Sequence, residues 1–490
     1  MKVLCLNPPF LQQFSREQRS PAVTKSGTIY YPMWLAYAAG ALIQDGHDVD
    51  LIDAVPRNWT HGHVAGHVER TKPDLIVIAT STPSIANDLA VGDACKTAYP
   101  DTITVFVGVH VSAVPEETLR GNDSADAVVI GEYERTLCEL AGHLHDPRDS
   151  WRTIPGLAFR LGPDIIRTAP RPLNEQLDAL PMVADVYRKF LNFKDYFYSI
   201  ARYPEVTLIT SRGCVHHCIY CVYPQNLTGR RVRFRDIEKV LDEWEFVETH
   251  FEGVRELFIE DDAMTLDAAR CQALMRRKIE RGIRIGFTAN SRADVDFETL
   301  KWLKKGGCRL LCVGFESGSQ TILDRMNKKL TLEQSRRFVR DAKRAGIMVH
   351  GCYLVGLPEE TEETLEATLA FAKELNTDTA QFFPLMVYPG TEAYQWARSS
   401  GYLATTDFSC WLTPEGLHNC VVNRPELSHT QLVAFCDRAR REFYLRPRYM
   451  LFKLRQILTR PDEAVRTLKS LRKFWKYLVQ GSFSSSREKG

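Results

Sequence analysis

Val206-Thr207-Leu208-Ile209-Thr210 runs without a break into Ser211-Arg212-Gly213-Cys214-Val215-His216-His217-Cys218-Ile219-Tyr220-Cys221. The first five residues form an apolar, β-branched run that reads as a buried parallel strand. The loop at its carboxyl end carries three thiols within eight residues. The strand-then-helix rhythm repeats downstream, with strands expected at 256–260, 284–289, 309–315, 348–355 and 380–385. The helices between them are marked by stripes such as Ile237, Val240, Leu241, Trp244 and Val247, at helical spacing. Six strands are too few for a full eightfold barrel, so residues 203–400 are expected to form an open or partial (β/α)6 barrel. In such a fold, chemistry belongs at the carboxyl ends of the strands.

Working outward, residues 1–145 alternate short apolar runs (3–6, 49–52, 75–79, 103–107 and 127–130) with helical patterns such as 34–44 and 134–143. A five-stranded parallel sheet in the order 2-1-3-4-5 follows, the flavodoxin-like or Rossmann-like form with a ligand crevice at the strand ends. Residues 146–202 break the rhythm with a hairpin at 156–167 turning at Gly162-Pro163, and read as a connector. Residues 401–490 read as helical and basic, with thirteen Lys or Arg against three acidic residues between Arg438 and Lys476. The expected class is α/β: a Rossmann-like domain, a partial barrel and a C-terminal helical extension.

The 490 residues exceed what one hydrophobic core supports. Composition is that of an ordinary globular chain, 44% hydrophobic and 25% charged. The formal charge of +2 makes no case for a nucleic-acid partner. Two prolines, Pro8 and Pro9, stop the short apolar N-terminus before it could be a signal peptide. No apolar stretch approaches the length of a membrane span. Thirteen cysteines, an odd number, point to reduced thiols and metal ligands in a cytoplasmic protein. The basic tail reads as a solvated face or, given the interleaved Phe443, Tyr444, Tyr449, Phe452, Phe474, Trp475 and Tyr477, as a peripheral contact with an anionic partner or membrane surface.

Three thiols on one loop can hold three irons of a [4Fe-4S] cluster and leave the fourth iron open to a small molecule. The rival is zinc, closed by His216, His217 or a distant Cys, but a structural clip has no reason to sit at a barrel's carboxyl rim. Cys-x3-Cys-x2-Cys with an aromatic before the last Cys, after strand one of a partial barrel, resembles the radical S-adenosylmethionine superfamily over residues 206 to about 395. The resemblance implies that Cys214, Cys218 and Cys221 bind the cluster. It implies that an electron from the cluster cleaves S-adenosylmethionine to a 5′-deoxyadenosyl radical, and that Tyr220 lies beside the adenine. It places Asp261 or Asp262, where many members carry Gly-Gly-Glu, at the substrate amino group. Arg292 falls toward the methionyl carboxylate, Glu316 toward the ribose, and Gly356-Leu357 toward the adenine.

The N-terminal domain is similar to the cobalamin-binding domain fused ahead of one radical S-adenosylmethionine class. The matching strand-end loops contain Pro8; Ser81, Thr82, Pro83 and Ser84; Gly108 and His110; and Gly131 and Glu132. The Asp-x-His-x-x-Gly signature that supplies a lower cobalt ligand is absent, since Asp45-Gly46-His47 is followed by Asp50. His110 is therefore not expected to bind cobalt. The resemblance implies a cobalamin-dependent enzyme that methylates an unactivated carbon of a small-molecule or lipid-linked substrate, with a flavodoxin or ferredoxin as electron donor. Segments such as Tyr31-Pro32-Met33-Trp34 and Cys221-Val222-Tyr223-Pro224-Gln225 look most like hopanoid-associated enzymes that contract a sugar ring to a cyclitol ether. Ring contraction or rearrangement is thus the alternative chemistry. A non-catalytic cobalamin or iron–sulfur sensor is the alternative of another class.

Overall fold

Leu75–Ala79 reads Leu-Ile-Val-Ile-Ala with every residue buried. A strand with no polar face belongs in the middle of a parallel sheet covered on both sides. The computed structural model describes residues 1–459 and places this strand third of seven in the N-terminal sheet. In chain order the strands are β1 (Lys2–Asn7), β2 (Asp48–Asp53), β3 (Leu75–Ala79), β4 (Ile103–Val107), β5 (Ala127–Val129), β6 (Leu157–Leu161) and β7 (Asp164–Arg167). Their spatial order is β2-β1-β3-β4-β5-β6-β7. The first five are parallel in the expected 2-1-3-4-5 order. Helices Met33–Gln44 and Glu134–Gly142 pack together on the sheet, as do His61–Thr71 and Ile85–Ala98.

One expectation is corrected here. The 157–167 hairpin is no connector, because β6 pairs antiparallel with β5 and β7 with β6. Leu157, Ala158 and Phe159 are completely buried, so the hairpin covers the open edge of β5 with apolar surface.

The barrel strands are β8 (Glu205–Leu208), β9 (Glu256–Ile259), β10 (Gly286–Ser291), β11 (Cys308–Glu316), β12 (Met348–Val355) and β13 (Thr379–Pro384), each pairing in parallel with the next. The first and last do not meet, which leaves the barrel open. Helix Ile237–His250 shows why the pattern was legible: Val240, Leu241, Trp244 and Val247 are all buried, and Asp236 caps its first turn by accepting from the Glu238 and Lys239 amides.

Two of the joins between the halves run through arginines. Arg212, four residues past the end of β8, reaches Glu134 (2.6 Å) and Glu132 (3.4 Å) just beyond β5, and Arg233 grips Glu132 at 2.7 and 2.8 Å. The second join is residues 8–32, which include a two-residue hairpin (Phe14–Ser15 with Ala22–Val23) and carry Arg19 to the barrel mouth. Beyond the barrel, helix His429–Tyr444 lies on β13. Phe443 and Tyr449 are buried, Tyr444 Oη donates to the Ala380 carbonyl, and Tyr449 Oη donates to that of Asp378. This part of the aromatic tail packs on the enzyme. Phe474, Trp475 and Tyr477 lie outside the described residues. Among the described residues no helix is long and apolar enough to cross a membrane.

Candidate functional site

Gly213 makes the three-thiol loop possible. It has φ +90°, and a Cβ there would come within 2.1 Å of the Arg231 carbonyl oxygen, so only glycine fits. Cys218 is buried, Cys214 and Cys221 are half-buried, and all are free thiols. Burial pushes the Cys221 thiol up to about 12 despite the opposing pull of Arg19. Arg292 acts on Cys214 in the same sense, and Lys328 lies within electrostatic reach of Cys218. Three soft donors on one loop, ringed by three cations, fit an anionic iron–sulfur cluster.

The adjacent carboxylates have different partners. Asp261 accepts from both the amide and the hydroxyl of Thr210 and of Ser211, at 2.6 to 3.1 Å, so it staples the start of the loop. Asp262 faces the loop itself: Oδ2 accepts from the Gly213 amide (3.1 Å) and Thr228 (3.0 Å), while Oδ1 takes Arg19 at 2.6 Å. Arg19 also reaches Glu260 (3.3 Å) and the Glu260 and Asp261 carbonyls, and lies over the Tyr223 ring. Burial raises the Glu260 carboxyl to about 7.

Glu316 sits at φ +64° just past a bulge in β11. Its Oε1 accepts from Tyr220 Oη (2.9 Å) and Lys328 Nζ (2.6 Å). The close neighbour Gly314 has no room for a Cβ, which would meet that oxygen at 2.0 Å. Arg292 is buried and donates to the Lys328 and Lys329 carbonyls and to Asp294, each at 3.0 Å, so its guanidinium chiefly fixes the loop that carries Lys328. At the end of β12 the Gly356 and Leu357 amides both donate to Glu360 Oε2. Arg424 donates to the Leu357 and Glu360 carbonyls. The other Glu360 oxygen is buried without a partner beside this turn, and burial raises the carboxyl to about 7.

The crevice of the first sheet opens onto the same region. Arg16, Glu17, Trp34, Thr80, Gly108 and Tyr223 are among the residues lining a small pocket between the strand ends and the helix after Cys221. Gly108, at φ +118°, would carry a Cβ 2.7 Å from the Thr80 oxygen, so the wall there is bare backbone, as a flat macrocycle needs. Gly131 is open where a Cβ would stand, and the Pro8 carbonyl is held by Arg16 at 2.9 Å. Ser81, Thr82, Pro83 and Ser84 are buried. Ser84 bonds Asp88 (2.6 Å), which pairs with Arg16, so this loop shapes the crevice from behind. His110 is buried, with Nδ1 3.1 Å from Thr82 Oγ1 and its ring edge-on to Phe408, and burial lowers its pKa to about 3. Glu132 is taken up by Arg212, Arg233 and the Asn174 amide (3.0 Å). Its carboxylate thus ties the two domains together.

Arg19, Lys328, Glu360 and Arg424 were not visible in the sequence reading. No short motif marks them, and each reaches the site through chain folding.

A parallel sheet with a backbone-lined crevice, set against a partial barrel bearing three thiols at its mouth, defines a cobalamin-dependent radical S-adenosylmethionine enzyme. The chain matches the radical SAM superfamily over residues 208–372 and the B12 binding domain over residues 19–141. It is 31% identical over 453 residues to an uncharacterized methyltransferase of Pyrococcus horikoshii, covering 92% of this chain and 94% of that protein. It is 26% identical over 418 residues to hopanoid C-3 methylase of Methylococcus capsulatus (83% and 74% covered). The radical S-adenosylmethionine methyltransferase TsrM of Kitasatospora setae, solved with cobalamin and a [4Fe-4S] cluster, shares the fold at a TM-score of 0.70 and 19% identity (89% and 90% covered). The chain belongs to the cobalamin-binding radical S-adenosylmethionine family. It is an enzyme whose cofactors are a [4Fe-4S] cluster, S-adenosylmethionine and cobalamin, so the non-catalytic sensor reading falls.

Proposed function

We propose that the enzyme methylates an unactivated carbon of a small-molecule or lipid-linked substrate. What supports this reading is that Tyr223, two residues after Cys221, lines the same pocket as Gly108, so the helix that follows the thiol loop forms part of the wall of the crevice. In this reading Cys214, Cys218 and Cys221 hold the cluster and Asp262 takes the amino group of S-adenosylmethionine. Tyr220, Glu316, Gly356 and Leu357 receive its nucleoside, Arg292 orders the neighbouring loop, and Pro8, Gly108 and Gly131 form the cobalamin wall. Bound there, the cluster and S-adenosylmethionine supply a 5′-deoxyadenosyl radical and cobalamin supplies a methyl group. The chain's own part is to orient and to exclude water: Lys328 and Tyr220 fix the Glu316 carboxylate, and the Glu360-pinned turn presents backbone groups. The cobalamin-binding unit is taken as residues 1–145 extended through the 157–167 hairpin, followed by the barrel at 203–400 and a C-terminal region from residue 401 that holds helices His429–Tyr444 and Pro447–Thr459, and a flavodoxin or ferredoxin is proposed as the electron donor. The test is anaerobic turnover of reconstituted enzyme with candidate lipids, sugars and peptides. A product heavier by one CH2 is expected. A product of unchanged mass and altered connectivity would instead establish the second reading, radical ring contraction of a sugar-linked, hopanoid-type lipid, which the hopanoid-like segments around Tyr31 and Tyr223 support.

Three further outcomes are expected. Arg19 occupies Asp262, so Arg19→Gln should free that carboxylate for the substrate ammonium. The Kd for S-adenosylmethionine is then expected to fall about fivefold, about 1 kcal/mol, by calorimetry. A weaker or unchanged Kd counts against Asp262 as the ammonium partner. Because His110 is buried between Thr82 and Phe408, electron paramagnetic resonance of the Co(II) protein should show no nitrogen splitting that depends on His110. Splitting that vanishes in His110→Ala makes this assignment wrong. Finally, helix Pro447–Thr459 exposes Met450, Leu451, Leu454 and Leu458 beside exposed Arg448 and Arg455, an apolar and basic combination suited to peripheral contact with anionic lipid. Flotation with anionic vesicles at low salt is expected, and equal recovery with neutral vesicles refutes it.

A further inference from the structure

Leu310 and Cys312 on β11 and Met348 on β12 face the interior of the barrel. Leu310 and Met348 gather there with Ile200 in a small cluster of their own, with Tyr198 and Cys312 against it, whereas Leu311, Val313, Val349 and Tyr353 belong to the main core. One step further toward the strand ends, Cys312 stands in register with His350, and Cys352 follows opposite Gly314. One ligand atom from each of Cys312, His350 and Cys352 lies within 4.8 Å of the other two. The radical chemistry assigned above uses none of the three.

We propose that Cys312, His350 and Cys352 bind one zinc(II) ion inside the barrel, with a fourth coordination position left for a substrate atom. The spacing fits: two thiolates each about 2.3 Å from a tetrahedral ion stand about 3.8 Å apart, and Cys312 Sγ lies 3.8 Å from Cys352 Sγ. The donor set is selective, since two sulfurs and an imidazole suit zinc and reject magnesium and calcium. The ring of His350 is also oriented from behind. Its Nδ1 stands 2.7 Å from Oγ1 of Thr379, its register partner on β13, the kind of outer contact that fixes a ligating imidazole. Nε2 is then the ligand nitrogen of the proposal. Zinc replaces the two thiol protons, which leave to solvent, and no oxidant or reductant is needed. Among the described residues the group offers three ligands, and three protein ligands with one remaining position is the pattern of a zinc that takes up a substrate atom rather than of a structural clip. The ligand class is an oxygen, nitrogen or sulfur atom of the substrate. Glu316 and Lys328 lie within electrostatic reach of Cys352, so an atom held there would sit next to the corner proposed for S-adenosylmethionine. The zinc site itself does not depend on methylation being the reaction.

The test uses the full chain, anaerobically reconstituted with iron and sulfide and then equilibrated with zinc and dialysed. Elemental analysis is expected to give about one zinc per chain in addition to the cluster iron. Zinc-edge X-ray absorption should show two sulfur neighbours at about 2.3 Å and nitrogen at about 2.0 Å. The zinc should persist in a Cys214→Ala, Cys218→Ala, Cys221→Ala variant, which separates it from metal on the cluster loop. Cys312→Ser and Cys352→Ser should each weaken zinc binding about a hundredfold, while iron content and circular dichroism stay unchanged. Should either serine variant lose its fold, His350→Gln reads the same affinity. Zinc that is absent, or that disappears with the cluster cysteines, overturns the proposal. So does zinc that is unchanged in Cys312→Ser, or a Cys312–Cys352 disulfide found by alkylation mass mapping under these conditions.

Discussion

Cys218→Ala is expected to leave a folded chain that no longer cleaves S-adenosylmethionine. The side chain is buried at the base of the loop, its Sγ 3.8 Å from the Asn327 carbonyl oxygen. Removing one sulfur there costs about 1 kcal/mol of packing, too little to unfold either domain. The loop is held by other bonds, from Cys214 N to Gly229 O and from Ile219 N to Met326 O, and these do not involve the thiol. What is lost is one of three cluster ligands. Iron and sulfide should drop from about four each per chain toward zero, and formation of 5′-deoxyadenosine should fall to background. Glu316→Gln gives a useful contrast: the cluster is expected to remain, and only the affinity for S-adenosylmethionine to weaken. Bound zinc in place of iron, with cleavage unaffected by Cys218→Ala, would sink the assignment of this loop to the cluster.

The strands were legible because a parallel strand buried on both faces leaves a mostly apolar run. Leu75–Ala79, Ile103–Val107 and Met348–Val355 fall where the runs do. The three-thiol loop was legible because its chemistry lies within eight consecutive residues. The 157–167 hairpin was misplaced because two amphipathic strands carry no sign of which sheet edge they will join; pairing with β5 decides that. The site's charged partners were hidden for a related reason. Arg19 and Asp262 are separated by 243 positions, and they meet only because residues 8–32 cross from one domain to the other. Glu132 shows the converse relation between motif and contact. A strand-end motif marks a place in the fold, and in this chain a buried arginine has claimed the carboxylate. Cys312, His350 and Cys352 have no motif spacing, and only the parallel register of β11 and β12 brings them together.

That buried arginine carries the second large expected effect. Arg212→Ala should destabilise the join between the domains by about 3–5 kcal/mol, the usual cost of removing one partner from a buried ion pair. Its side chain is fully enclosed, pairs with Glu134 and Glu132, and lies 4.8 Å over the Trp34 ring and 4.9 Å over that of Tyr37. Alanine leaves the Glu134 carboxylate buried with its partner gone and empties the space between two aromatic rings. Denaturant unfolding should show an earlier midpoint, and limited proteolysis should find 168–204 newly cut as the halves separate. The effect also has a sign in pH. Burial alone would raise the Glu132 carboxyl, but Arg212 and Arg233 outweigh it and hold the group below its ordinary value. A carboxyl depressed in the folded state stabilises it above the unfolded pKa, and that contribution is lost as pH falls through the folded one. The difference between wild type and Arg212→Ala should therefore be full near pH 7 and shrink as pH drops below about 4. A difference that stays constant across that range would mean that Arg212 holds the domains through its packing on Trp34 and Tyr37, with the carboxylates as bystanders.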